Sequence, residues 1–206
     1  MDIRPANKVN KDFFPIVSLL FVFCAFLIAI YCFATQEVLN NDYFSKDRDE
    51  HLLSTVEAYH LTSSFPDLYK AKEYGYAIGD MQFILRYFPN HPKALLLLCH
   101  VARLLKRPFL PIPYFNKAIS LYPQYAITHI QYGEYLIRVD QIDIGIQQLN
   151  IGIRLDPKSG IAHALLAEAY NKKGNTELSK QEMQKARDLG FKDSLEEVIN
   201  PIEKDP

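Results

Sequence analysis

The chain contains no tryptophan, and its 206 residues include only three cysteines. Cys24 and Cys32 both fall in an apolar run near the N-terminus, so no intramolecular structural disulfide can form in the rest of the chain, which holds Cys99 alone. Neither sign of charge is in excess, because 23 Lys and Arg stand against 24 Asp and Glu. This balance excludes a strongly basic nucleic-acid-binding protein, and we predict no nucleic-acid partner.

Motifs for catalysis, metals and cofactors are also missing. The sequence has no CxxC, no phosphate-binding glycine loop and no nucleophile elbow, and none of its six histidines has a partner histidine four residues away. Cys99 falls at a small-residue packing position, which is typical of an inert core thiol rather than a reactive one. We therefore predict no catalytic residue, no metal site and no cofactor, and expect that the protein is not an enzyme.

A long apolar run lies close to the N-terminus. Residues 13–34 carry no charge across 22 positions, which is roughly 33 Å of helix and enough to cross a bilayer core of about 30 Å. The run predicts a single transmembrane helix in contact with the lipid bilayer. A cleavable signal peptide is the alternative, but its apolar region is about 7–15 residues long and this run is longer.

The cations around this run predict its orientation. Arg4, Lys8 and Lys11 precede it, whereas Lys46 and Arg48 follow among several acidic residues. Counting positive charges places residues 1–12 in the cytoplasm as an N-terminal tail. The rest of the chain then lies outside the cytoplasm, in the periplasm if the membrane is a bacterial inner membrane.

Regular spacing of prolines and small residues indicates repeats in the remainder of the chain. Pro89, Pro123 and Pro157 are 34 residues apart, and each follows an amphipathic stretch. If repeats begin at Pro92 and its equivalents, positions eight, twenty and twenty-seven are small, at Cys99, Gly133 and Ala167, at Pro111, Gly145 and Ser179, and at Ala118, Gly152 and Ala186. Position twenty-four is large and apolar, at Phe115, Leu149 and Met183.

This alternation suits pairs of antiparallel helices. Small residues at positions eight and twenty let the two helices of a unit approach closely, position twenty-four fills the space beside them, and position twenty-seven receives the next unit. The pattern resembles the tetratricopeptide-repeat (TPR) family. The resemblance implies an all-α fold, with the N-terminal transmembrane helix followed by a TPR α-solenoid of antiparallel helix pairs.

Departures from the family pattern are confined to a few places. The common aromatic residue at position four is Leu95, His129 or His163 here, and we interpret the two histidines as packing residues, a metal bridge between them being the alternative. The prolines of residues 106–115 predict a longer inter-helix loop and a second helix that starts late, near Pro111 or Pro113.

The repeat register divides the chain into segments. Pro66 falls where the first helix of an upstream unit would run, so we predict that its partner helix is displaced to residues 46–62. The predicted segments are the tail 1–12, the transmembrane helix 13–34, a stalk and degenerate cap 35–66, a partial repeat 67–91, full repeats 92–125, 126–159 and 160–193, and a C-terminal capping segment 194–206.

The family resemblance implies a concave groove lined by the first helices, with repeat positions two, five, nine, twelve and thirteen facing a partner. The predicted groove residues are Lys93, Leu96, His100, Arg103, Ile127, Ile130, Glu134, Ile137, Arg138, Ile161, Glu168, Asn171 and Lys172. Their isoleucines predict an apolar binding surface, and their cations suit acidic side chains or a C-terminal carboxylate. Alternatively, the short superhelix closes over its own groove around helix 46–62.

A second candidate surface is the loop 106–115. Its prolines pre-order the apolar side chains Phe109, Leu110 and Ile112 for a partner, although the loop could equally be tucked over the helix ends. Membrane-anchored TPR proteins of bacteria commonly serve the assembly of envelope complexes. The resemblance therefore implies an interaction adaptor or assembly factor for an envelope membrane complex. The alternative is a permanent structural accessory subunit that docks mainly through its transmembrane helix.

Overall fold

A computed structural model describes residues 40–192 of the chain. The predicted transmembrane helix 13–34 and the predicted capping segment 194–206 both lie outside the described residues and stay predictions. Across 40–192, no helix has the length and apolar character needed to cross a membrane.

Every regular element between residues 40 and 192 is helical, which confirms the all-α prediction. The elements are α1 (Glu50–Glu57), a π-helical segment (Ala58–Ser64), α2 (Phe65–Lys70), α3 (Tyr74–Tyr87), α4 (Pro92–Leu104), α5 (Ile112–Leu121), α6 (Ala126–Arg138), α7 (Ile142–Leu155), α8 (Gly160–Lys172) and α9 (Thr176–Asp188).

Side-chain caps begin several of these helices. The Asp49 carboxylate accepts a hydrogen bond from the Leu52 backbone N–H at 2.9 Å, at the start of α1. The Nδ1 of His91 accepts one from the Ala94 backbone N–H at 3.2 Å, directly before Pro92 at the start of α4. Each cap satisfies a backbone donor that the first helical turn leaves unpaired.

The ends of the first helices repeat with the period of the sequence. Lys72, Lys106, Asp140 and Gly174 have left-handed backbone φ values of 60°, 54°, 62° and 76°, and each is 34 residues from the next. A left-handed residue terminates a helix and turns the chain. The 34-residue register therefore extends one unit upstream of the three full repeats, to a unit whose first helix ends at Lys70, just before the left-handed Lys72.

The predicted displacement of that upstream first helix is wrong. One continuous helical run extends from Glu50 to Lys70, and Pro66 lies within it as the second residue of α2. The Phe65 backbone N–H bonds to the His60 carbonyl, five residues back. This wider π-helical turn leaves Pro66 at a first-turn position, where its missing N–H does not interrupt the ladder.

The contact between α6 and α7 confirms the predicted small-residue positions. A Cβ atom added to Gly133 would lie 2.9 Å from the carbonyl oxygen of Gly145, and one added to Gly145 would lie 2.8 Å from the Cγ1 of Ile137. The two backbones thus meet where positions eight and twenty coincide. Position twenty-seven is different, because a Cβ at Gly152 would meet Ile130 of the same repeat at 2.6 Å rather than the next unit.

The first full repeat differs from the second in its second helix. The helix α5 begins at Ile112 after Pro111, which confirms the predicted late start. Phe115 of α5 is fully buried and stacks on Tyr132 of α6 at a ring-centroid distance of 4.8 Å. The aromatic contact therefore joins α5 to the next repeat.

Residues 41–44, the N-terminal strap, cross the loops between repeats. One carboxylate oxygen of Asp42 accepts a hydrogen bond from the Asn90 amide at 2.7 Å, and the other accepts one from the Tyr125 hydroxyl at 2.6 Å. The Tyr43 backbone N–H donates to the Asn90 side-chain oxygen at 2.9 Å. The strap thus joins the α3–α4 loop to the α5–α6 loop.

Candidate functional site

A small pocket, partly open to solvent, lies between α4 and α6. Each helix contributes four residues at spacings of three, four and seven, which is one helical face. The lining residues are Leu96, Cys99, His100 and Arg103 of α4, Gln131, Glu134, Tyr135 and Arg138 of α6, and Phe115 of α5. Two neighbouring first helices and one second helix therefore build the site.

The floor of the pocket is apolar and fixed. Phe115 and Tyr135 lie with their ring centroids 6.4 Å apart, and the Tyr135 hydroxyl donates a hydrogen bond to the Pro108 carbonyl at 2.8 Å. Burial raises the pKa of the Cys99 thiol well above its ordinary value, so this thiol stays protonated at neutral pH. Cys99 therefore contributes apolar surface rather than a nucleophile.

The rim of the pocket carries more positive than negative charge. The Nε of Arg138 donates to the Glu134 carboxylate at 3.0 Å. Burial raises the pKa of Glu134, against the opposing effects of Arg138 and Arg103. Arg103 forms no ion pair with any residue of 40–192. Two guanidinium groups and only one carboxylate thus line the pocket, which therefore suits an added anionic group.

An amide supplies the pocket with a hydrogen-bond acceptor. The Nε2 of Gln131 donates to the Pro92 carbonyl at 3.1 Å, whereas its Oε1 is buried and has no hydrogen-bond partner among the described residues. At the N-terminal side of the pocket, the Tyr69 hydroxyl of α2 lies 2.8 Å from the Nε2 of His100. A donor such as a backbone N–H of a bound segment would satisfy the free oxygen of Gln131.

Five of the predicted groove residues come together in this pocket, namely Leu96, His100, Arg103, Glu134 and Arg138. The prediction that Ile130 and Ile137 face the groove is wrong, because their side chains are buried, at only 5% and 1% exposed. They share a face of α6 with Gly133, and that face packs on Gly145 and Gly152 of α7. The pocket is instead lined by the neighbouring face of α6.

The remaining predicted residues lie away from the pocket. Lys93 and Ile127 are exposed near the starts of α4 and α6, while Ile161, Glu168, Asn171 and Lys172 belong to α8. The Lys172 ammonium lies 3.7 Å from the Glu168 carboxylate and donates to the Ile137 carbonyl at 3.2 Å. In the loop 106–115, Phe109 is 68% exposed, whereas Leu110 and Ile112 are half-buried against the apolar cluster that includes Leu98 and Phe115.

Four lining residues were not predicted as groove residues: Cys99, Phe115, Gln131 and Tyr135. Gln131 and Tyr135 stand at spacings of three and four from Glu134 and Arg138, so helical periodicity alone could have found them. The two helices also line the pocket with different repeat positions. Each lining residue of α6 follows its counterpart on α4 by 35 residues, one more than the repeat period of 34.

The two histidines at position four pack within their own repeats. The Nδ1 of His129 lies 2.8 Å from the Oε1 of Gln148, and the Nδ1 of His163 lies 2.6 Å from the Oε2 of Glu182. Both partners belong to the second helix of the same repeat, at position twenty-three. Across residues 40–192, no three His, Cys, Asp or Glu side chains are grouped as metal ligands.

Comparison with solved structures finds helical-repeat proteins. One crystal structure of MamA is 18% identical with a TM-score of 0.51, over 66% of this chain and 72% of that chain. A second MamA structure is 17% identical with a TM-score of 0.50, over 68% and 83% of the two chains. YrrB, described as a TPR protein with an unusual peptide-binding site, is 22% identical with a TM-score of 0.50, over 67% and 71%.

No protein-family model matches the chain, and no curated protein matches it as a relative. The structural similarities concern the fold, and they confirm the predicted TPR architecture.

Proposed function

Since the chain has the TPR fold, we propose that it is a membrane-anchored protein-interaction adaptor that assembles or holds an envelope membrane complex. The pocket between α4 and α6 binds a segment of a protein partner. Residues 13–34 anchor the chain in the lipid bilayer, with the N-terminus in the cytoplasm and the repeats outside it, in the periplasm of a bacterium.

The charge of the pocket carries this proposal. Arg103 stands at the rim of an apolar floor and forms no ion pair with any residue of 40–192, while Arg138 and Glu134 are already paired. A partner segment with an apolar side chain for the floor and a carboxylate for Arg103 complements this arrangement. Its backbone N–H would satisfy the Oε1 of Gln131.

The fold supports the same interpretation. YrrB has a similar arrangement of helices and is described as having a peptide-binding site. An anchor adds to the binding of such segments, because it holds the pocket at a high effective concentration beside partners in the same membrane.

Removal of one charge tests the proposal in the full chain. Arg103→Met keeps the apolar stem but removes the guanidinium group, and Arg154→Met makes the same change on an exposed residue of α7. Tagged chains are purified in mild detergent, and the proteins that accompany them are quantified by mass spectrometry. A charge-assisted hydrogen bond is worth about 1.5–3 kcal/mol, so R103M should lower affinity for the partner about tenfold or more.

The comparison of variants separates the two functional hypotheses. A partner that R154M retains and R103M loses, at an unchanged thermal midpoint, supports binding in the pocket. A partner that both variants retain contradicts it and favours the permanent accessory subunit that docks through residues 13–34.

A further inference from the structure

A continuous series of ring contacts lies on the surface of α3 and the π-helical segment. The ring centroid of Phe83 lies 5.1 Å from that of Tyr87 and 4.3 Å from that of His60. The ring centroids of His60 and Tyr59 are 4.9 Å apart. Tyr59 is 66% exposed and Phe83 is 38% exposed. These four residues are named the aromatic stripe; Tyr59 and Phe83 present the exposed rings, whereas Tyr87 is half-buried and the His60 side chain is 14% exposed and contacts Asp80. Exposed apolar rings of this kind mark a contact with another phase or molecule.

The stripe ends at Tyr87, which contacts the first described residues of the chain. The Asn41 backbone N–H donates a hydrogen bond to the Tyr87 carbonyl at 2.7 Å, and the Asn41 side-chain amide donates to the same oxygen at 3.3 Å. The strap that follows is held by Asn90 and Tyr125 through Asp42. Tyr87 is therefore fixed beside the first residues of the repeat region.

The length of the preceding chain limits how far this surface can be from lipid. Only residues 35–40 separate the predicted anchor from Asn41. Six residues reach about 20 Å even when fully extended. The helix α3, whose last residue is Tyr87, is itself about 21 Å long. With residues 13–34 as the anchor, only this short segment of chain separates the membrane from Asn41, the residue that is bonded to Tyr87.

The charges beside Tyr87 suit the same environment. Arg86, the residue before Tyr87 on α3, is exposed and forms no ion pair with any residue of 40–192. Asp80, the carboxylate beside the stripe, lies 2.7 Å from the Nδ1 of His60. Tyrosine rings and basic side chains are the residues that favour the headgroup region of a membrane.

We propose that the aromatic stripe lies against the lipid headgroups of the membrane that holds the anchor. The inference rests on the proposed anchor, residues 13–34, but not on the binding pocket. The contact holds α3 and the π-helical segment at the membrane surface.

The lack of tryptophan allows a direct test with single reporters. Full-length F83W is reconstituted into nanodiscs of phosphatidylcholine and phosphatidylglycerol, with bromine either absent or attached to the acyl chains near the headgroups. Bromine quenches a tryptophan that touches this region. We expect the F83W emission to be lost in brominated discs. F109W is the matched control, because Phe109 is also exposed but follows the far end of α4.

A reporter in the predicted anchor separates the possible failures. Quenching of I28W and F83W, with F109W unaffected, supports the contact. Quenching of I28W without F83W overturns the contact while the anchor stands. Equal quenching of F83W and F109W shows lipid exposure that is not specific to the stripe and also overturns it. An unquenched I28W overturns both the anchor and the contact, and leaves the pocket to its own test.

Discussion

The His163–Glu182 contact shows how a single buried pair joins two helices. The Oε2 of Glu182 lies 2.6 Å from His163 of α8, and its Oε1 accepts a hydrogen bond from the Lys185 ammonium at 2.8 Å. Burial would raise the pKa of Glu182, but the hydrogen bonds and charges of Lys185 and His163 outweigh it and lower the pKa below the ordinary value of 4.5.

The direction of this shift predicts an acid-dependent loss of stability. Because the pKa of Glu182 is lowered in the folded state, its contribution is present above about pH 4.5 and is lost as the pH falls through the lowered pKa. Glu182→Gln keeps an acceptor for His163 but does not titrate. We expect E182Q to have a lower thermal midpoint at pH 7 and a smaller decrease in that midpoint between neutral and acidic pH.

Glu177→Gln is the control, since Glu177 is an exposed residue of the same helix and accepts a hydrogen bond from Gln181. Thermal unfolding of the full chain in detergent, followed by circular dichroism across the pH series, measures all three proteins. An E182Q curve that falls with acid as steeply as the wild-type curve would contradict the interpretation.

The candidate site could be predicted in part from single residues. The repeat register brought Arg103, Glu134 and Arg138 to one surface, because charged residues at first-helix positions are costly to bury. It placed Ile130 and Ile137 there as well, although their size fits the space that Gly145 and Gly152 leave open. Sequence position alone does not say which of two adjacent helix faces packs on a partner helix.

Helices of this fold end at a shared backbone position rather than at a shared residue type. The four left-handed residues Lys72, Lys106, Asp140 and Gly174 occupy the same place in successive units, but only one is glycine. A non-glycine residue in this conformation costs about 1 kcal/mol. The sequence signal for the upstream unit was weak for that reason, and Pro66 obscured it further because the π-helical segment was not foreseen.

Two glycine substitutions should change the free energy of unfolding in opposite directions. Gly174 has a φ of +76° and no atom within 4 Å of an added Cβ, so Gly174→Ala adds backbone strain without a clash. Gly79 lies exposed within α3, also with no neighbour within 4 Å. We expect G174A to lower the free energy of unfolding by about 1 kcal/mol and G79A to raise it by about 0.5–1 kcal/mol.

Urea unfolding of the full chain in detergent measures both changes. Equal effects of the two substitutions would mean that residue 174 does not hold the left-handed conformation. The pair also isolates backbone conformation from packing, because both sites are open.

Across the whole repeat region, burial is distributed unevenly between the two ends. A larger apolar cluster includes Met81, Leu98 and Phe115, whereas a smaller one includes Leu149, Leu165 and Ala169. The helix α6 contributes to both, with Tyr132 and Leu136 in the first cluster and Ile130 and Ile137 in the second. Since each repeat is stabilised by its neighbours, α6 is the element through which the stability of one half reaches the other.

This distribution predicts the order in which the helices open. Five residues of α3 are buried, among them Met81 and Ile84, but in α9 the buried residues are Glu182 and Ala186. Local opening costs least where few apolar contacts are broken. Hydrogen exchange of the full chain, followed by mass spectrometry, should therefore be fastest in α9 and slowest in α3 and α4.

Phe115→Leu, which weakens the stacking of α5 on Tyr132, should speed exchange in α5 and α6 and leave α9 unchanged. Uniform protection from α3 to α9 would instead indicate that the repeats unfold as one cooperative unit. In that case α6 would couple the two apolar clusters no more than any other helix does.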